Sequence, residues 1–362
     1  MRRFLVLLLA VLMAAAASAQ KKKKNKNGEE EDVTQTLPML KDPPPAVSAE
    51  TARLVFHVSP LSAKGLMSPQ IREALNELFH ENHGAAIVKL RAFVAGSGDL
   101  RRVQTLVSEV FTDHKLSLPA LSTIQVGALP MEGAQVVLES IAVDKKVVNP
   151  NGLAFFSGQQ NKDVRQSVTQ LQTAMAAAGV KAPEILRATC FLSSLDDLNK
   201  ARDAMGNAFP RLVVNFVQLQ RLGLEPLAEC EAVGRLDTAP SQAVVLVNPP
   251  GLTANPNYSQ IALVNAPKMV LSGTQMVFGE QDSDVTLAFE RLRKEIEPLG
   301  VSYKDVFWSS MYPLTRPVAD KVRAQRFNYF DRGHPPASTF LLFEGLPSLD
   351  ATVAMEVMAA VR

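Results

Sequence analysis

Three stretches of the chain align with one another without a gap: residues 87–111, 185–209 and 306–330. Each stretch reads as an apolar strand, a short turn and a helix that ends in Phe. Self-similarity of this kind is the signature of repeated structural units. The match extends upstream between the second and third copies, where apolar residues recur at the spacing of one helical face: Val164, Val168, Leu171 and Met175, then Val285, Phe289, Leu292 and Ile296.

The segments around each aligned stretch complete the unit. Two further strands close each copy, and a strand or hairpin opens it, most clearly at 153–158 and at 260–264 followed by 269–273. The order β-β-α-β-α-β-β predicts an α+β fold in which two helices cover one face of a sheet. Because the other face then needs a partner, we expect the three sheets to pack together. The predicted units span residues 51–146, 147–238 and 239–362.

The N-terminal region predicts export. Arg2 and Arg3 precede an apolar run that ends in Ala17-Ser18-Ala19, the pattern of a cleaved secretory signal over residues 1–19. The alternative, a membrane anchor, is disfavoured because the run is shorter than the ~20 apolar residues that span a bilayer. Residues 20–50 carry charge blocks and prolines without apolar periodicity, so they predict a disordered linker. The mature protein is expected in the periplasm or the medium, without a membrane span.

The net charge of the chain limits the classes of partner that we expect it to bind. The chain has 38 basic and 36 acidic residues, and loss of Arg2 and Arg3 with the signal would leave the two equal. A neutral protein has no overall field to attract phosphates, so we expect no nucleic-acid partner. The five histidines have no ligand-like spacing with Cys or acidic residues, so neither a metal nor a cofactor is predicted.

Several motifs, in their order and spacing, resemble the Rid family, also called YjgF or endoribonuclease L-PSP. They are Ser157-Gly158-Gln159, Ala178-Gly179-Val180, the strand 185–192, Glu229-Cys230-Glu231-Ala232 and Pro256-Asn257-Tyr258-Ser259-Gln260. The resemblance implies a chorismate-mutase-like fold. Family members assemble as homotrimers around a central barrel, with ligand clefts between subunits. A chain with three such units is therefore expected to be a monomer that forms an intramolecular pseudo-trimer.

The resemblance also implies a defect in chemistry. In the family's deaminases, an Arg in a Pro-Ala-Arg-Ser stretch binds the carboxylate of an imine or enamine, which water hydrolyses to a keto acid and ammonia. The matching positions here hold Leu121, Val214 and Ser338. None of these side chains can form the two-point ion pair of a guanidinium with a carboxylate. Activity as a 2-iminobutanoate/2-iminopropanoate deaminase is therefore expected to be weak or absent.

Other residues are candidates for a remaining site. Glu229 occupies the place of the family carboxylate that helps to position water, whereas the other units have Val137 and Ala354. An outward-facing strand residue is the alternative for Glu229. Three cationic side chains are candidates for binding the ligand's carboxylate from another position: Arg202, Arg211 and Arg323. For Arg202 and Arg323, which lie on predicted helices, the alternative is a solvent-exposed place on the helix surface.

Three further residues are candidate ligand contacts. Tyr258 either covers a cleft or packs its ring with the hydroxyl in solvent. Gly158 and Gly273 either donate backbone N–H groups to a carboxylate or satisfy a turn. Cys190 and Cys230 lie on strands of the second unit and are either a disulfide or two buried thiols.

The sequence leaves three classes of function. The first is an exported binder of a small carboxylate or imine, with weak or absent deaminase activity. The second is a non-catalytic scaffold or partner-binding protein. The third is an endoribonuclease, which would need a cationic surface that the neutral composition does not indicate.

Overall fold

The computed structural model describes residues 40–96, 98–223 and 225–362. The predicted signal peptide and residues 20–39 of the predicted linker lie outside these ranges. Residues 46–50, assigned to the linker from sequence, instead form a strand that pairs with a strand of the third unit. The linker prediction is therefore wrong at its C-terminal end. No helix within the described ranges is long and apolar enough to cross a membrane.

The α+β fold of three units is confirmed, with two helices for each sheet. The helices are α1 Met67–Glu81, α2 Arg101–Asp113, α3 Val164–Ala177, α4 Leu198–Ala208, α5 Asp282–Ile296 and α6 Arg316–Gln325. The strands of the first half are β1 Ala46–Glu50, β2 Leu54–Val58, β3 Ala86–Ala95, β4 Ala120–Val126, β5 Val136–Val143, β6 Leu153–Phe156, β7 Ile185–Leu192 and β8 Val214–Gln218. The remaining strands are β9 Ala228–Arg235, β10 Val244–Val247, β11 Ile261–Val264, β12 Lys268–Ser272, β13 Gln275–Phe278, β14 Val306–Pro313, β15 Ala337–Phe340 and β16 Ala351–Val361.

Each pair of helices packs its apolar face on the sheet of its own unit. The predicted faces of α3 and α5 are buried, from Val164 to Met175 and from Val285 to Ile296. The same arrangement joins α1 and α2 to the first sheet. Hydrophobic burial of these faces stabilises the helices on their sheets.

The units exchange strands. The predicted hairpin of 260–264 and 269–273 does not form, because β11 pairs with β6 of the second unit whereas β12 pairs with β16 of the third. In the same way β1 pairs with β12 of the third sheet, while β2, which follows it in the chain, pairs with β5 of the first. The sheet orders are β2-β5-β3-β4, β10-β11-β6-β9-β7-β8 and β1-β12-β16-β14-β15, with β13 also on β16.

The first sheet receives no exchanged strand. Only residues 144–152 connect β5 to β6, whereas residues 236–267 connect β9 to β12 and contain both β10 and β11. The shorter connection has no strand that could cross to the outer edge of β2. The three-fold similarity of the units is therefore broken at this edge by the length of one connection.

The inner faces of the sheets pack on one another. Two buried apolar clusters each combine residues of all three units. At one of them the ring centroids of Phe93, Phe191 and Phe343, one from each unit, lie 5.7 to 6.5 Å apart. Packing of aromatic rings from every unit ties the described part of the chain into one body.

Cys190 and Cys230 form a disulfide, which decides between the two alternatives given by the sequence. They are directly opposite each other on the antiparallel strands β7 and β9. The bond closes a loop with a sequence separation of 40 residues. Loop-closure entropy predicts a stabilisation of about 4 kcal/mol for such a loop.

Candidate functional site

One junction between units brings together four of the predicted site residues. Ser338 of the third unit donates its N–H to Ser157 Oγ of the second unit at 2.8 Å. Ser157 Oγ in turn donates to the carbonyl of Ser259, at 2.8 Å, which follows Tyr258. We call the site formed by Gly158, Glu229, Tyr258 and Ser338 the Glu229 cleft.

Glu229 packs directly on Gly158. A Cβ on residue 158 would lie 2.1 Å from Glu229 Cγ, so any side chain there would displace the carboxyl group. Neither Gly158 nor Gly273 has a positive φ, so a left-handed backbone conformation is not the reason for glycine at either position. The reason for glycine at 158 is the close approach of Glu229.

Burial controls the protonation of the Glu229 cleft. Glu229 is 5% exposed, and burial, together with the nearby Glu231, raises its pKa well above the ordinary range. Burial and the neighbouring Glu229 raise the pKa of Tyr258 to about 12. Burial therefore favours the neutral form of both groups, and in that form each can donate a hydrogen bond.

Strand register places Leu121, Val214 and Ser338, the positions predicted to lack the family's arginine, at equivalent points of the three units. Each is paired, in parallel, with the corresponding residue of the aligned strand in its own unit. The pairs are Leu90 with Leu121, Ala188 with Val214 and Ser309 with Ser338. The equivalence assigned from sequence therefore holds at the level of the backbone.

Arg323 lines a cavity beside the Glu229 cleft. The cavity has a volume of about 560 Å³ and lies between the second and third units. The Arg323 guanidinium lies 4.5 Å from the ring centroid of Phe340 and forms an ion pair with Asp320 at 2.9 Å. Asn161, another lining residue, pairs through its backbone with Ala228, which precedes Glu229. The cavity therefore adjoins the strand that carries the buried acid.

The other two candidate cations lie elsewhere. Arg211 lines a second cavity, of about 590 Å³, along the open edge of β2. Arg202 is exposed on α4, and it is not among the lining residues of either cavity. The structure therefore brings only Arg323 to the neighbourhood of the Glu229 cleft.

The junction of the third and first units is closed. Gly273 donates its N–H to the carbonyl of Pro45 at 2.6 Å, and Thr274 donates to the carbonyl of Leu121 at 3.3 Å. Ala354 stands in the place of Glu229. The Gly273 amide therefore has a protein partner, and the junction has no acid at that position.

The junction of the first and second units also lacks the site. Ser59 Oγ accepts the Leu138 N–H just as Ser272 Oγ accepts the Val357 N–H, so Pro60 occupies the position of Gly273. Proline has no N–H to donate. Val137 replaces the acid, so neither polar component of the Glu229 cleft is present here.

A buried charge cluster at the centre of the three sheets was missed from sequence. Its six members are Lys89, Arg91, Glu139, Arg187, Glu231 and Glu356. The Lys89 Nζ to Glu356 Oε2 distance is 2.6 Å, and Arg91 Nη2 lies 2.6 Å from Glu139 Oε2. Although burial opposes it, Arg91 and Arg187 lower the pKa of Glu139 to about 2. We call these six residues the interior charge cluster.

A comparison of the three repeats could have predicted the acids of this cluster. Glu139, Glu231 and Glu356 lie on the closing strands β5, β9 and β16, opposite the equivalent residues of the aligned strands. Three acids balance three cations, and the cavity between them is only about 20 Å³. That space holds a water molecule but no organic ligand, so the cluster is a structural element. No group of three metal-ligating side chains occurs within the described ranges.

Solved structures similar to this chain are members of the Rid family. One, a Rid-family protein of unknown function from Yersinia pestis, is 14% identical, with coverage of 33% of this chain and 100% of that chain and a TM-score of 0.31. A YjgF/YER057c/UK114-family protein from Mycobacterium tuberculosis is 17% identical, covering 27% and 83%, with a TM-score of 0.24. The YjgF gene product of E. coli is 21% identical, covering 28% and 93%, with a TM-score of 0.24. No protein-family model and no curated protein matches the chain.

Proposed function

We propose that this protein is an exported, monomeric Rid-like protein that binds one small carboxylate, or an imine or enamine derived from an amino acid, in the Glu229 cleft. Hydrolysis of that ligand is weak or absent. The observation that carries the proposal is the meeting of Gly158, Glu229, Tyr258 and Ser338, from two units, at one junction. The corresponding residues at the other two junctions do not reproduce this group.

The shape and charge of the neighbouring cavity support a small anionic ligand. Its volume of about 560 Å³ lies within the range of ordinary ligand pockets. Its lining holds three cations and two acids, a net positive charge, and the Phe340 ring supplies an apolar wall; the charged residues are Lys162, Arg316, Arg323, Glu225 and Asp320. A carboxylate with a short aliphatic chain matches this combination.

Two features argue against efficient hydrolysis. Ser338 replaces the arginine of the family's deaminases, and a hydrogen bond to a charged group contributes about 1.5 to 3 kcal/mol. In addition, burial raises the pKa of Glu229 and so favours the neutral carboxyl group over the carboxylate that would remove a proton from water. We therefore expect binding without effective turnover.

The disulfide supports the export component of the proposal. Cys190 and Cys230 are directly opposed on paired strands, and such bonds persist in oxidising compartments. The predicted signal at residues 1–19 gives the route. A mature protein that starts near Gln20 and is recovered as a disulfide-bonded monomer is the expected product.

A scaffold without a ligand is the second candidate function. It is favoured by the third-to-first junction, where Pro45 and Leu121 accept the backbone N–H groups of Gly273 and Thr274. If all three junctions serve only packing, no small molecule will stabilise the protein.

The experiment is a thermal unfolding series on the mature protein. The Tm should rise with pyruvate or 2-oxobutanoate but remain unchanged with the neutral ketone 2-butanone, because binding to the folded state raises stability. Arg323→Gln should raise the Kd for the carboxylate about tenfold or more, and Arg202→Gln, on an exposed helix, should leave it unchanged. Absence of any carboxylate response would reject the ligand-binding function in favour of the scaffold.

The hydrolytic prediction needs a separate assay. An amino-acid oxidase generates the imine of 2-oxobutanoate, and the rate of ammonia release is measured with and without this protein. We expect no acceleration beyond about twofold. Rapid, saturable hydrolysis would contradict the part of the proposal that rests on Ser338 and on the raised pKa of Glu229.

A further inference from the structure

A buried arginine in the third unit lacks an acidic partner. Arg326 follows α6 and is 1% exposed. Among the described residues, its side-chain hydrogen-bond partner is Ser309, with Nη2 lying 3.5 Å from Oγ, and its Nε is buried with no partner. The charged neighbour that affects it is Arg323, which has the same sign. The guanidinium is therefore uncompensated.

An uncompensated buried charge is strongly unfavourable. Burial and the nearby Arg323 lower the pKa of Arg326 to about 10, which still leaves the side chain charged at neutral pH. The rings of Phe327 and Phe330, each with its centroid 5.6 Å from the guanidinium carbon, provide weak cation–π attraction. That attraction offsets only part of the desolvation cost, so the site needs a negative charge.

Three buried residues of this region in the third unit are polar. The structurally equivalent positions are apolar in both other units. Arg326, Ser309 and Ser338 correspond to Val107, Leu90 and Leu121 in the first unit, and to Met205, Ala188 and Val214 in the second. In the third unit the two hydroxyls contact each other, with Ser309 Oγ donating to Ser338 Oγ at 3.2 Å.

We propose that Arg326, Ser309 and Ser338 form a buried binding site for one monoanion next to the Glu229 cleft. Ser338 connects the two, because its N–H donates to Ser157 of the second unit. One guanidinium and two hydroxyl groups match a single negative charge, either a halide or the carboxylate of a small organic ligand. The carboxylate form of this proposal rests on the proposed function, whereas the halide form does not.

The test compares chloride with pyruvate. Mature protein is prepared with a bulky sulfonate as the only anion, and the Tm is followed as chloride or pyruvate replaces it at constant ionic strength. We expect a saturable rise in Tm with at least one of the two anions. Responses to neither anion would overturn the proposal.

A matched variant installs the residues of the second unit. Ser309→Ala, Arg326→Met and Ser338→Val together reproduce the residues of the second unit, where Ala188 and Met205 are buried and Val214 is partly buried against the same apolar cluster. This triple variant should lose the anion response, and Arg323→Gln should retain the chloride response. An unchanged chloride response in the triple variant would overturn the site. A chloride response without a pyruvate response would support the anion site while removing support for the proposed carboxylate ligand.

A direct measurement covers the case in which the triple variant does not fold. Crystals of the unmodified mature protein are soaked in bromide, whose anomalous scattering identifies its position. A peak within about 4 Å of the Arg326 guanidinium is expected, at the distance of a hydrogen-bonded ion. No peak at a bromide concentration that saturates the Tm response would contradict the proposal.

Discussion

Glu229 and Glu231 lie two residues apart on β9 and are both buried, yet their surroundings differ in charge. Glu231 lies in the interior charge cluster, where Arg91 contacts its carboxylate. Glu229 faces Gly158 and Tyr258, and no cation contributes to its environment. Ion pairs therefore stabilise the charged side chains of one region, whereas desolvation favours the neutral form of the acid in the other.

The difference between these two regions distinguishes a cluster that stabilises the fold from the proposed ligand site. The interior charge cluster uses an acid from every unit, and it joins the three sheets at their centre. The Glu229 cleft occurs at one junction only. In a homotrimer every junction must carry the same residues, but in a single chain each can change independently. One chain can therefore keep a common centre while two of its three clefts lose their polar groups.

The largest expected effect on the free energy of unfolding comes from a substitution in the interior charge cluster. Glu139→Ala removes the carboxylate that contacts both Arg91 and Arg187 and leaves buried positive charge without its main partner. Removing one member of a buried pair costs about 3 to 5 kcal/mol. Urea unfolding at pH 7 should show a loss of that size. Glu73→Ala, at a solvent-exposed pair with Lys64, is the control and should change the free energy of unfolding by less than about 1 kcal/mol.

Low pH should destabilise the protein through the same interior charge cluster. Because the folded pKa of Glu139 is about 2, against an ordinary value of 4.5, its carboxylate adds stability that is fully present above pH 4.5. That contribution, about 3 kcal/mol, is lost as the pH falls from 4.5 through 2. The measurement is the free energy of unfolding between pH 7 and pH 2. A wild-type curve with no steeper acid limb than that of Glu139→Gln would contradict the pairing.

Glu229 should show the opposite pH dependence. Its folded pKa is raised, so its stabilising contribution is present below pH 4.5 and is lost as the pH rises toward the folded pKa. Glu229→Gln resembles the neutral acid and should change the free energy of unfolding at pH 5 by less than about 1 kcal/mol. At pH 9 the variant should be at least as stable as the wild type. A variant clearly less stable than the wild type at pH 9 would contradict a raised folded pKa for Glu229.

The repeats predicted the three units, the helix faces and the order of strands, because apolar spacing and gapless alignment are local properties. The exchange of β11 and β12 between sheets was not predictable in this way. A hairpin and an exchanged pair have the same alternation of residues, and only the connection length and the competing edges decide between them.

The residues of the candidate site also divide into those that the sequence predicted and those that it did not. Glu229, Tyr258 and Gly158 were found because family motifs mark them, and the structure brings them together. Arg326 has no motif, yet it stands where Val107 and Met205 are buried in the other units. A charged residue at an apolar repeat position is a signal that position-by-position comparison of the repeats can detect. The ion pairs of Glu139, in contrast, depend on which sheets meet at the centre.

The number of ligands bound by each chain tests the central claim most directly. Isothermal titration of the mature protein with a small carboxylate should give one site per chain, and Gly158→Ala should weaken binding at least tenfold, because the new Cβ would displace Glu229. Gly206→Ala is the matched control, since a Cβ there meets no atom within 4 Å, and it should bind as the wild type does. Three sites per chain, or wild-type affinity in Gly158→Ala, would contradict the assignment of a single ligand site to the Glu229 cleft.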